Sequence, residues 1–227
     1  MDDQQQQYAS DPQRIIGLTG GIGMGKTTIS NYLSSVHKLP VLDADLYARE
    51  AVEPGSTVLA EIAERYGSGV LHSNGSLDRK RLSEIIFDSL AERLWLEQRV
   101  HPYVRDRLER NLKALLDQHH SKIVLVIPLL FEARMTDLVT EIWVVRCPKA
   151  RQVERLRQRD CLTLEQAQAR ISSQMPIDRK VGRADIVIEN STNLESLFHQ
   201  VDLAVAQPIP PNLGEVQQWQ QANLPNP

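Results

Sequence analysis

Short apolar runs alternate with longer helical patterns along most of the chain. Five of these runs predict buried β-strands, because little polar alternation interrupts them and four are rich in Ile or Val. The strands are expected at Arg14–Thr19, Pro40–Asp43, Ile123–Pro128, Ile142–Arg146 and Asp185–Glu189. Helices are expected at Thr27–Val36, Thr57–Tyr66, Arg79–Phe87, Ala91–His119, Lys149–Arg159, Leu164–Gln174 and Leu194–Ala206. Such alternation is typical of an α/β fold with a parallel sheet and crossover helices.

The predicted strands are unevenly spaced. Roughly eighty residues, mostly helical, separate the second strand from the third; this is too long for one crossover and predicts a first helical insert over Leu46–His119. A second helical insert, Lys149–Met175, separates the fourth strand from the fifth. Pro102 is expected to divide the pattern at Ala91–His119 into two helices, because proline fits best near a helix start.

The composition is that of an ordinary globular protein. A formal net charge of −3 over 227 residues argues against nucleic-acid binding driven by the overall field. No apolar run approaches the roughly 20 residues needed to span a bilayer. The two cysteines, Cys147 and Cys161, match no zinc spacing and are expected to be reduced thiols in a cytoplasmic protein. Polar, glutamine-rich ends predict a disordered tail at 1–12 and a flexible tail at 207–227.

The segment Gly20–Thr27 matches the phosphate-binding pattern G-x-x-x-x-G-K-[ST] at every position. It follows a predicted strand and opens a predicted helix, a context in which a chance glycine-rich turn is rare. Glycines allow positive φ and let backbone N–H groups surround phosphate oxygens, and the helix N-terminus adds partial positive charge. Lys26 is expected to reach the β- and γ-phosphates, and the Thr27 hydroxyl to bind Mg²⁺. The segment predicts a nucleoside triphosphate site.

Two carboxylates, Asp43 and Asp45, lie at the carboxyl end of the second predicted strand. The carboxyl edge of a doubly wound sheet faces the ligand crevice, so both are expected near the phosphate-binding loop. An acid in this place can take the proton of an attacking hydroxyl or hold Mg²⁺ through water. We expect one of the two to face the crevice while the other caps or orients; the alternative is that both only cap the following helix.

The second helical insert is basic. Ten Lys or Arg residues and four Asp or Glu residues lie between Arg146 and Arg183, and a spacing of four places Arg151, Arg155 and Arg159 on one helical face. Such a face can clamp phosphates and neutralise charge during phosphoryl transfer; the alternative is a solvated charged face. A GTPase is disfavoured, because neither Asn-Lys-x-Asp nor Asp-x-x-Gly occurs in the chain.

Several separated blocks together resemble the dephospho-coenzyme A (dephospho-CoA) kinase family over about Ile15–Asn190. The most diagnostic block is Pro-Leu-Leu-Phe-Glu at Pro128–Glu132, after the third predicted strand. Apart from the phosphate-binding loop each block is weak alone, but their order and spacing are specific. The other blocks are Ile16–Gly23 leading into Gly25–Thr28, Asp43–Asp45, Glu53–Gly55, His101-Pro102, Arg155-Leu156, Arg159-Asp160, Gln174, Ala184-Asp185, Ile188 and Asn190.

The resemblance implies transfer of the γ-phosphoryl group of ATP to the ribose 3′-hydroxyl of dephospho-CoA, the last step of coenzyme A synthesis. It implies a three-layer P-loop kinase fold, in which a five-stranded parallel sheet is flanked by helices and carries an inserted helical substrate lobe and a helical lid. The core would occupy 13–45, 120–148 and 179–206, the substrate lobe 46–119 and the lid 149–178. The expected ligands are ATP, Mg²⁺ and dephospho-CoA, without nucleic acid or membrane, in a monomer or small homo-oligomer.

The resemblance also implies roles for individual residues. Asp45 would be the catalytic carboxylate, with Lys26, Arg155 and Arg159 acting on the transferring phosphoryl group and Thr27 holding the metal. The ATP phosphates would be held by Gly21, Gly23, Met24, Gly25, Lys26, Thr27 and Thr28. The substrate side would be formed by Asp43, His101, Pro128, Leu129, Leu130 and Glu132. For His101, the residues alone equally allow a structural hydrogen bond at a helix start.

The chain departs from the family pattern in two places. Met24 and Thr27 stand where serine is commoner; Met24 is expected to offer phosphate only its backbone, and Thr27 keeps a hydroxyl. Ser191-Thr192 follows Asn190 in place of a glycine-containing turn, which leaves the adenine pocket undefined. The nearest alternative is another kinase of this fold, acting on a nucleoside monophosphate or a small metabolite. A nucleotide-binding switch without turnover is the alternative from a different class.

Overall fold

The computed structural model describes residues 13–87 and 89–207, so the predicted tails lie outside the described residues except for Gln207. Its strands are β1 Arg14–Gly20, β2 Val41–Asp43, β3 Lys122–Val126, β4 Glu141–Arg146 and β5 Ile186–Glu189. Its α-helices are α1 Lys26–Ser35, α2 Ala44–Glu50, α3 Thr57–Tyr66, α4 Arg79–Phe87, α5 Leu90–Asp117, α6 Lys149–Asp160, α7 Leu164–Ser172, α8 Ile177–Val181 and α9 Leu194–Ala206. Short 3-10 turns occur at Ser68–Val70 and Thr136–Leu138.

The five strands form one parallel sheet in the order β2-β3-β1-β4-β5. Successive side chains of a strand point to opposite faces, and both faces are apolar here. Ile16 of β1 packs in one cluster with Leu33 of α1 and Leu197 of α9. Ile15 packs in another with Leu108 of α5. Each fully buried Ile or Leu side chain stabilises the fold by about 1.5–3 kcal/mol. The predicted fold class, a parallel sheet between two helical layers, is confirmed.

The first helical insert has a small core of its own. Ile62 of α3 is fully buried there with residues of α4 and of the first part of α5. Trp95 of α5 packs against this cluster, and the guanidinium carbon of Arg99 lies 3.9 Å from the centroid of its ring. That of Arg65 lies 4.6 Å away. Cation–π contacts of this kind stabilise by about 0.5–1 kcal/mol at exposed sites, so the insert is held together partly by its own contacts.

Pro102 does not divide the long helical pattern, and that prediction is wrong. α5 runs through Pro102 as one helix of 28 residues. Proline in a helix interior removes one hydrogen bond and crowds the preceding turn, at a cost of about 3 kcal/mol. Val104, Leu108 and Leu112, at helical spacing, are buried in the cluster on the sheet, and their burial outweighs that cost. His101 therefore lies inside a helix and not at a helix start.

The sequence does not predict two short helices, α2 and α8. They have seven and five residues, which is too short for a helical period to stand out from the surrounding pattern. α2 begins directly after Asp43, so the chain turns into a helix as soon as it leaves the sheet. None of the helices within residues 13–87 and 89–207 is long and apolar enough to cross a membrane.

A buried ion pair closes the amino-terminal edge of the sheet. Arg14, at the start of β1, donates through Nε and Nη2 to the two carboxylate oxygens of Glu141, at the start of β4, over 2.7 and 3.0 Å. Its Nη1 also donates to the carbonyls of Val205 and Gln207, both at 3.0 Å, and Nη2 donates to that of Ala204 at 3.1 Å. A cation is favoured at a helix C-terminus. The pair therefore fastens the end of α9 to the sheet.

Candidate active site

The phosphate-binding loop joins the end of β1 to the start of α1. Gly25 is the N-cap of α1 with φ 98° and ψ 22°, a left-handed conformation that glycine adopts without a steric cost. A Cβ atom on Gly25 would lie 2.1 Å from Asn190 Nδ2, and one on Gly20 would lie 2.3 Å from the carbonyl oxygen of Val145. Both positions therefore require glycine, and the neighbouring strands fix the shape of the bend.

Four backbone amides of this loop are available to a ligand. The N–H groups of Gly23, Gly25, Lys26 and Thr27 make no hydrogen bond to another group of residues 13–87 or 89–207. The first N–H groups of a helix have no intrahelical acceptor, and the helix dipole adds partial positive charge at that end. This arrangement fits phosphate oxygens.

Three of the predicted phosphate-binding amides are used inside the loop. The N–H of Met24 donates to the carbonyl of Gly21 at 3.3 Å. The N–H of Gly21 donates to Met24 Sδ at 3.2 Å, and the N–H of Thr28 donates to the carbonyl of Gly25 at 3.1 Å. The Met24 side chain is 2% exposed. The thioether of Met24 therefore supports the turn from inside, and the expectation that Met24 offers phosphate only its backbone stays a prediction.

Lys26 crosses the loop and is partly buried. Its Nζ donates to the carbonyl oxygens of Gly20 and Gly21 at 2.9 and 3.0 Å. Burial lowers the pKa of Lys26 to about 8; the charge of Asp45 opposes this shift, and that of Lys180 adds to it. At neutral pH the ammonium group keeps its charge, and a bound phosphate would favour the charged form further.

Asp43 and Asp45 take different roles at the end of β2. Asp43 is the N-cap of α2, and its Oδ1 accepts the N–H of Asp45 at 2.8 Å. Burial raises the pKa of the half-buried Asp43 carboxyl. Asp45 lies in the first turn of α2 with an exposed side chain, near enough to Lys26 and Arg159 for its charge to raise the pKa of each. One acid caps the helix while the other faces the charged groups of the crevice.

The three arginines aligned on α6 point to different partners. Arg155 Nη2 donates to Asn190 Oδ1 at 3.3 Å, whereas its buried Nη1 has no hydrogen-bond partner in the described part of the chain. Arg159 binds the carboxylate of Asp160 through Nε and Nη2, at 2.7 and 2.9 Å. Arg151 donates to the carbonyl of Thr192. Arg155 thus keeps a donor beside the start of α1, and Arg159 lies within electrostatic range of the acid after β2.

Three side-chain amides hold the backbone of the phosphate-binding loop from outside. Gln152 Nε2 donates to the carbonyl of Ile22, and Gln174 Oε1 accepts the Ile22 N–H, both at 2.8 Å. Asn190 Nδ2 donates to the carbonyl of Met24, also at 2.8 Å. Gln174 and Asn190 belong to blocks that carry the family resemblance. The sequence does not single out Gln152, because a glutamine on a polar helix carries no local signal of such a contact.

The turn after β3 is tied to a lysine that the sequence does not predict. Lys180, on α8, is fully buried and donates to the carbonyl of Pro128 at 2.9 Å. Its Nζ also lies 2.9 and 3.2 Å from the two carboxylate oxygens of Glu132. Leu130 is buried in the core, whereas Leu129 is only partly buried. Of the residues predicted for the substrate side, Leu130 can contribute only through packing.

His101 stands apart from this cluster, in the first helical insert. It is partly buried on α5. Burial lowers the pKa of its imidazole, and the negative charge of Glu97 opposes this shift. No hydrogen bond of the imidazole is found among the described residues.

The site suits a metal that is held mainly by phosphates. Residues 13–87 and 89–207 contain no group of three or more His, Cys, Asp or Glu side chains that could bind a metal ion. Mg²⁺ in phosphoryl-transfer sites needs only one or two protein ligands, because substrate phosphates and water complete its shell. Thr27, exposed in the first turn of α1, can supply one such oxygen.

The parallel sheet and the phosphate-binding loop at its carboxyl edge define a P-loop kinase. The family model described as Dephospho-CoA kinase matches residues 14–196. A protein named Dephospho-CoA kinase from Trichormus variabilis is 58% identical over 193 residues, covering 85% of this chain and 97% of that protein. Another of that name from Synechocystis is 52% identical over 189 residues, covering 83% and 93%. The chain belongs to the dephospho-CoA kinase family, as the resemblance predicts.

Solved structures agree with this assignment. The crystal structure of TT1252 from Thermus thermophilus is 34% identical and superposes with a TM-score of 0.71, covering 86% of this chain and 97% of that one. A dephospho-CoA kinase from Campylobacter jejuni is 25% identical, with a TM-score of 0.64 and coverage of 92% and 98%.

Proposed function

We propose that the chain transfers the γ-phosphoryl group of ATP to the ribose 3′-hydroxyl of dephospho-CoA, giving coenzyme A and ADP. This is the last step of coenzyme A biosynthesis. The observation that carries the proposal is the juxtaposition of a complete phosphate-binding loop with the carboxylate of Asp45, in a chain of the dephospho-CoA kinase family.

The loop binds and orients the triphosphate of ATP. The free N–H groups between Gly23 and Thr27 receive phosphate oxygens, and Lys26 exchanges its loop carbonyls for phosphate oxygens. The Thr27 hydroxyl would hold Mg²⁺, which would neutralise negative charge on the phosphates of ATP. Fixing both reactants in this way removes much of the entropic barrier to transfer.

Asp45 orients the acceptor hydroxyl and takes its proton. A general base must be accessible to the substrate and within hydrogen-bond reach of the proton, and the exposed carboxylate in the first turn of α2 meets the first requirement. Asp43 supports this role indirectly, since its bond to the N–H of Asp45 fixes the start of α2.

Arg155 and Arg159 stabilise the charge that develops on the transferring group. The buried Nη1 of Arg155, which has no hydrogen-bond partner within residues 13–87 and 89–207, can donate to an anionic ligand. Arg159 is oriented by Asp160, which also accepts from Arg170 at 2.8 Å. We assign residues 149–178 as a lid that carries these arginines and excludes water during transfer.

The acceptor is bound opposite the loop. We assign residues 46–119, with His101, as the substrate lobe, and Asp43 with the turn at Pro128–Glu132 as the wall of the crevice between this lobe and the phosphate-binding loop. The core segments at 13–45, 120–148 and 179–206 support the lobe and the loop.

We also propose that the enzyme works in the cytoplasm, where its ATP is made, as a monomer or small homo-oligomer. Size-exclusion chromatography with light scattering tests the oligomeric state.

Mass spectrometry of the product tests the activity directly. The chain is incubated with ATP, Mg²⁺ and dephospho-CoA, and we expect coenzyme A and ADP in equal amounts. AMP and shikimate serve as control acceptors and should stay unchanged. Phosphorylation of a control acceptor alone would assign the chain to another kinase activity, and ATP hydrolysis without any phosphorylated acceptor would remove the kinase proposal.

A further inference from the structure

The buried charge of Lys180 has no part in the mechanism above. A lysine is rarely buried completely unless its ammonium group is paired. Here the ammonium group donates to the Pro128 carbonyl and to Glu132 Oε2, and it forms an ion pair with the Glu132 carboxylate. The Pro128 carbonyl also accepts the hydroxyl of Thr19, at the end of β1, over 3.2 Å. The pair is thus built into the carboxyl edge of the sheet, and the charge of Lys180 is close enough to Lys26 to lower the pKa of Lys26.

Glu132 makes one further contact, and it leads back to the phosphate-binding loop. Its Oε1 accepts the N–H of Met175 at 2.9 Å. The residue before Met175 is Gln174, whose Oε1 accepts the N–H of Ile22 in the loop. A chain of hydrogen bonds therefore joins the turn after β3, the end of the second helical insert and the loop.

We infer that Glu132 and Lys180 form a positioning pair for the phosphate-binding loop. The pair fixes the Gln174–Met175 segment, and this segment holds the Ile22 peptide in the conformation that presents the free amides to ATP. Both carboxylate oxygens of Glu132 are engaged by protein donors, so its effect on catalysis is indirect. The inference rests on the proposed function only in that ATP binds at the loop.

The test is a double-mutant cycle read by equilibrium binding of a fluorescent ATP analogue with Mg²⁺, on the full chain. Gln174→Leu removes the acceptor for Ile22 without changing any charge. Glu132→Gln keeps an oxygen for Met175 but leaves Lys180 unneutralised. We expect Gln174→Leu to weaken binding about tenfold, the effect of losing one well-placed bond to a partly buried donor. Glu132→Gln alone should also weaken binding about tenfold, and the double variant should bind no more than about threefold worse than Gln174→Leu, because both changes act through one segment. A Glu132→Gln variant that binds the analogue like the wild-type chain would overturn the inference.

Glu141→Gln is the matched control. It breaks the other buried ion pair, that of Arg14, at the opposite edge of the sheet. It should lower the melting temperature, as should Glu132→Gln, and it should change the affinity for the analogue less than about twofold. Equal weakening of binding by Glu141→Gln would show that the affinity follows general destabilisation, and would overturn the inference.

Additive effects of Glu132→Gln and Gln174→Leu would also overturn it, since independent sites add. If Glu132→Gln does not fold, Glu132→Gln combined with Lys180→Met removes both charges and takes its place in the cycle. With dephospho-CoA as acceptor, Gln174→Leu should raise the KM for ATP and change kcat less than about threefold. A wild-type chain that binds the analogue but does not phosphorylate dephospho-CoA refutes the proposed function and leaves the cycle informative.

Discussion

The two buried ion pairs lie at opposite edges of one sheet and are built differently. At the amino edge, the guanidinium of Arg14 donates hydrogen bonds to Glu141 and to the last carbonyls of α9. Those partners belong to the core and none lies in the crevice. At the carboxyl edge, Lys180 and Glu132 share their bonds with the turn after β3 and with the segment that follows α7.

This difference shows where a buried charge serves stability and where it serves the site. A planar guanidinium with many fixed donors suits a closed, permanent contact. A lysine with one carboxylate partner leaves that partner free to reach a third group, here the backbone of Met175. Loss of the first pair should therefore affect mainly the free energy of unfolding, whereas loss of groups at the carboxyl edge should also affect ATP binding or catalysis.

The largest effect is expected at the amino edge. Glu141→Gln removes the only carboxylate that Arg14 contacts within the described residues, and leaving a buried charge unpaired typically costs about 3–5 kcal/mol. Urea unfolding followed by circular dichroism measures this loss. Below the unfolding transition kcat should stay near the wild-type value. A fall in kcat as large as the change in stability would erase the distinction between the edges.

At the carboxyl edge, Lys26→Met should cost activity and not stability. Loss of a charge that acts on the transferring phosphoryl group should lower kcat about 10²–10³-fold. Because burial lowers the pKa of Lys26 from 10.5 to about 8, its charged form, although still dominant at neutral pH, is less favoured in the folded protein than in the unfolded chain. The free energy of unfolding at pH 7 should therefore not decrease. A strongly destabilised variant would mean that Lys26 supports the fold as Arg14 does.

The two acids after β2 sharpen the comparison within the site. Asp45→Asn should lower kcat about 10²-fold through loss of a general base, with little change in ATP affinity. Asp43→Asn is its control, because asparagine also caps a helix well and preserves the bond to the N–H of residue 45. Steady-state kinetics of both variants decides the matter. Equal losses in both, or wild-type turnover of Asp45→Asn, would remove Asp45 from the mechanism.

The smallest expected effect is a pH dependence of ATP affinity. ATP favours the charged form of Lys26, so its affinity should be constant below pH 8. As pH rises through about 8, Lys26 of the free enzyme loses its proton, and the Kd should rise by up to about tenfold per pH unit. Lys26→Arg should remove this dependence, because arginine stays charged over the range. A Kd of the wild-type chain that is flat between pH 7 and 9 would contradict the lowered pKa.

Local patterns predict the sheet and the phosphate-binding loop well. β1, β3 and β4 are covered on both faces, so their continuous apolar runs stand out from the helical patterns beside them. The loop is predictable because phosphate binding needs glycines for the sharp bend and a positive charge at the start of the helix, and both requirements show in the local sequence. Asp43 and Asp45 are found for the same reason, since both follow a strand at the carboxyl edge.

Contacts between distant segments could not be predicted in this way. Lys180 lies in a polar stretch that favours exposure, and only Glu132, 48 residues earlier, and the Pro128 carbonyl make its burial tolerable. Gln152 donates a hydrogen bond to the carbonyl of Ile22, which lies 130 residues earlier in the sequence. The single helix through Pro102 likewise depends on tertiary packing that overrides a local preference.

Pro102 lies where α5 passes from one core to the other. Trp95 and Leu96, before it, pack in the cluster of the first helical insert, whereas Leu108, after it, packs on the sheet, and Val100 touches both. A proline leaves one carbonyl of the preceding turn without its helical donor, and helices bend most readily at such a turn. The helix that connects the core of the first helical insert to the sheet therefore has its weakest turn at the boundary between the two cores, and bending of this helix should begin there.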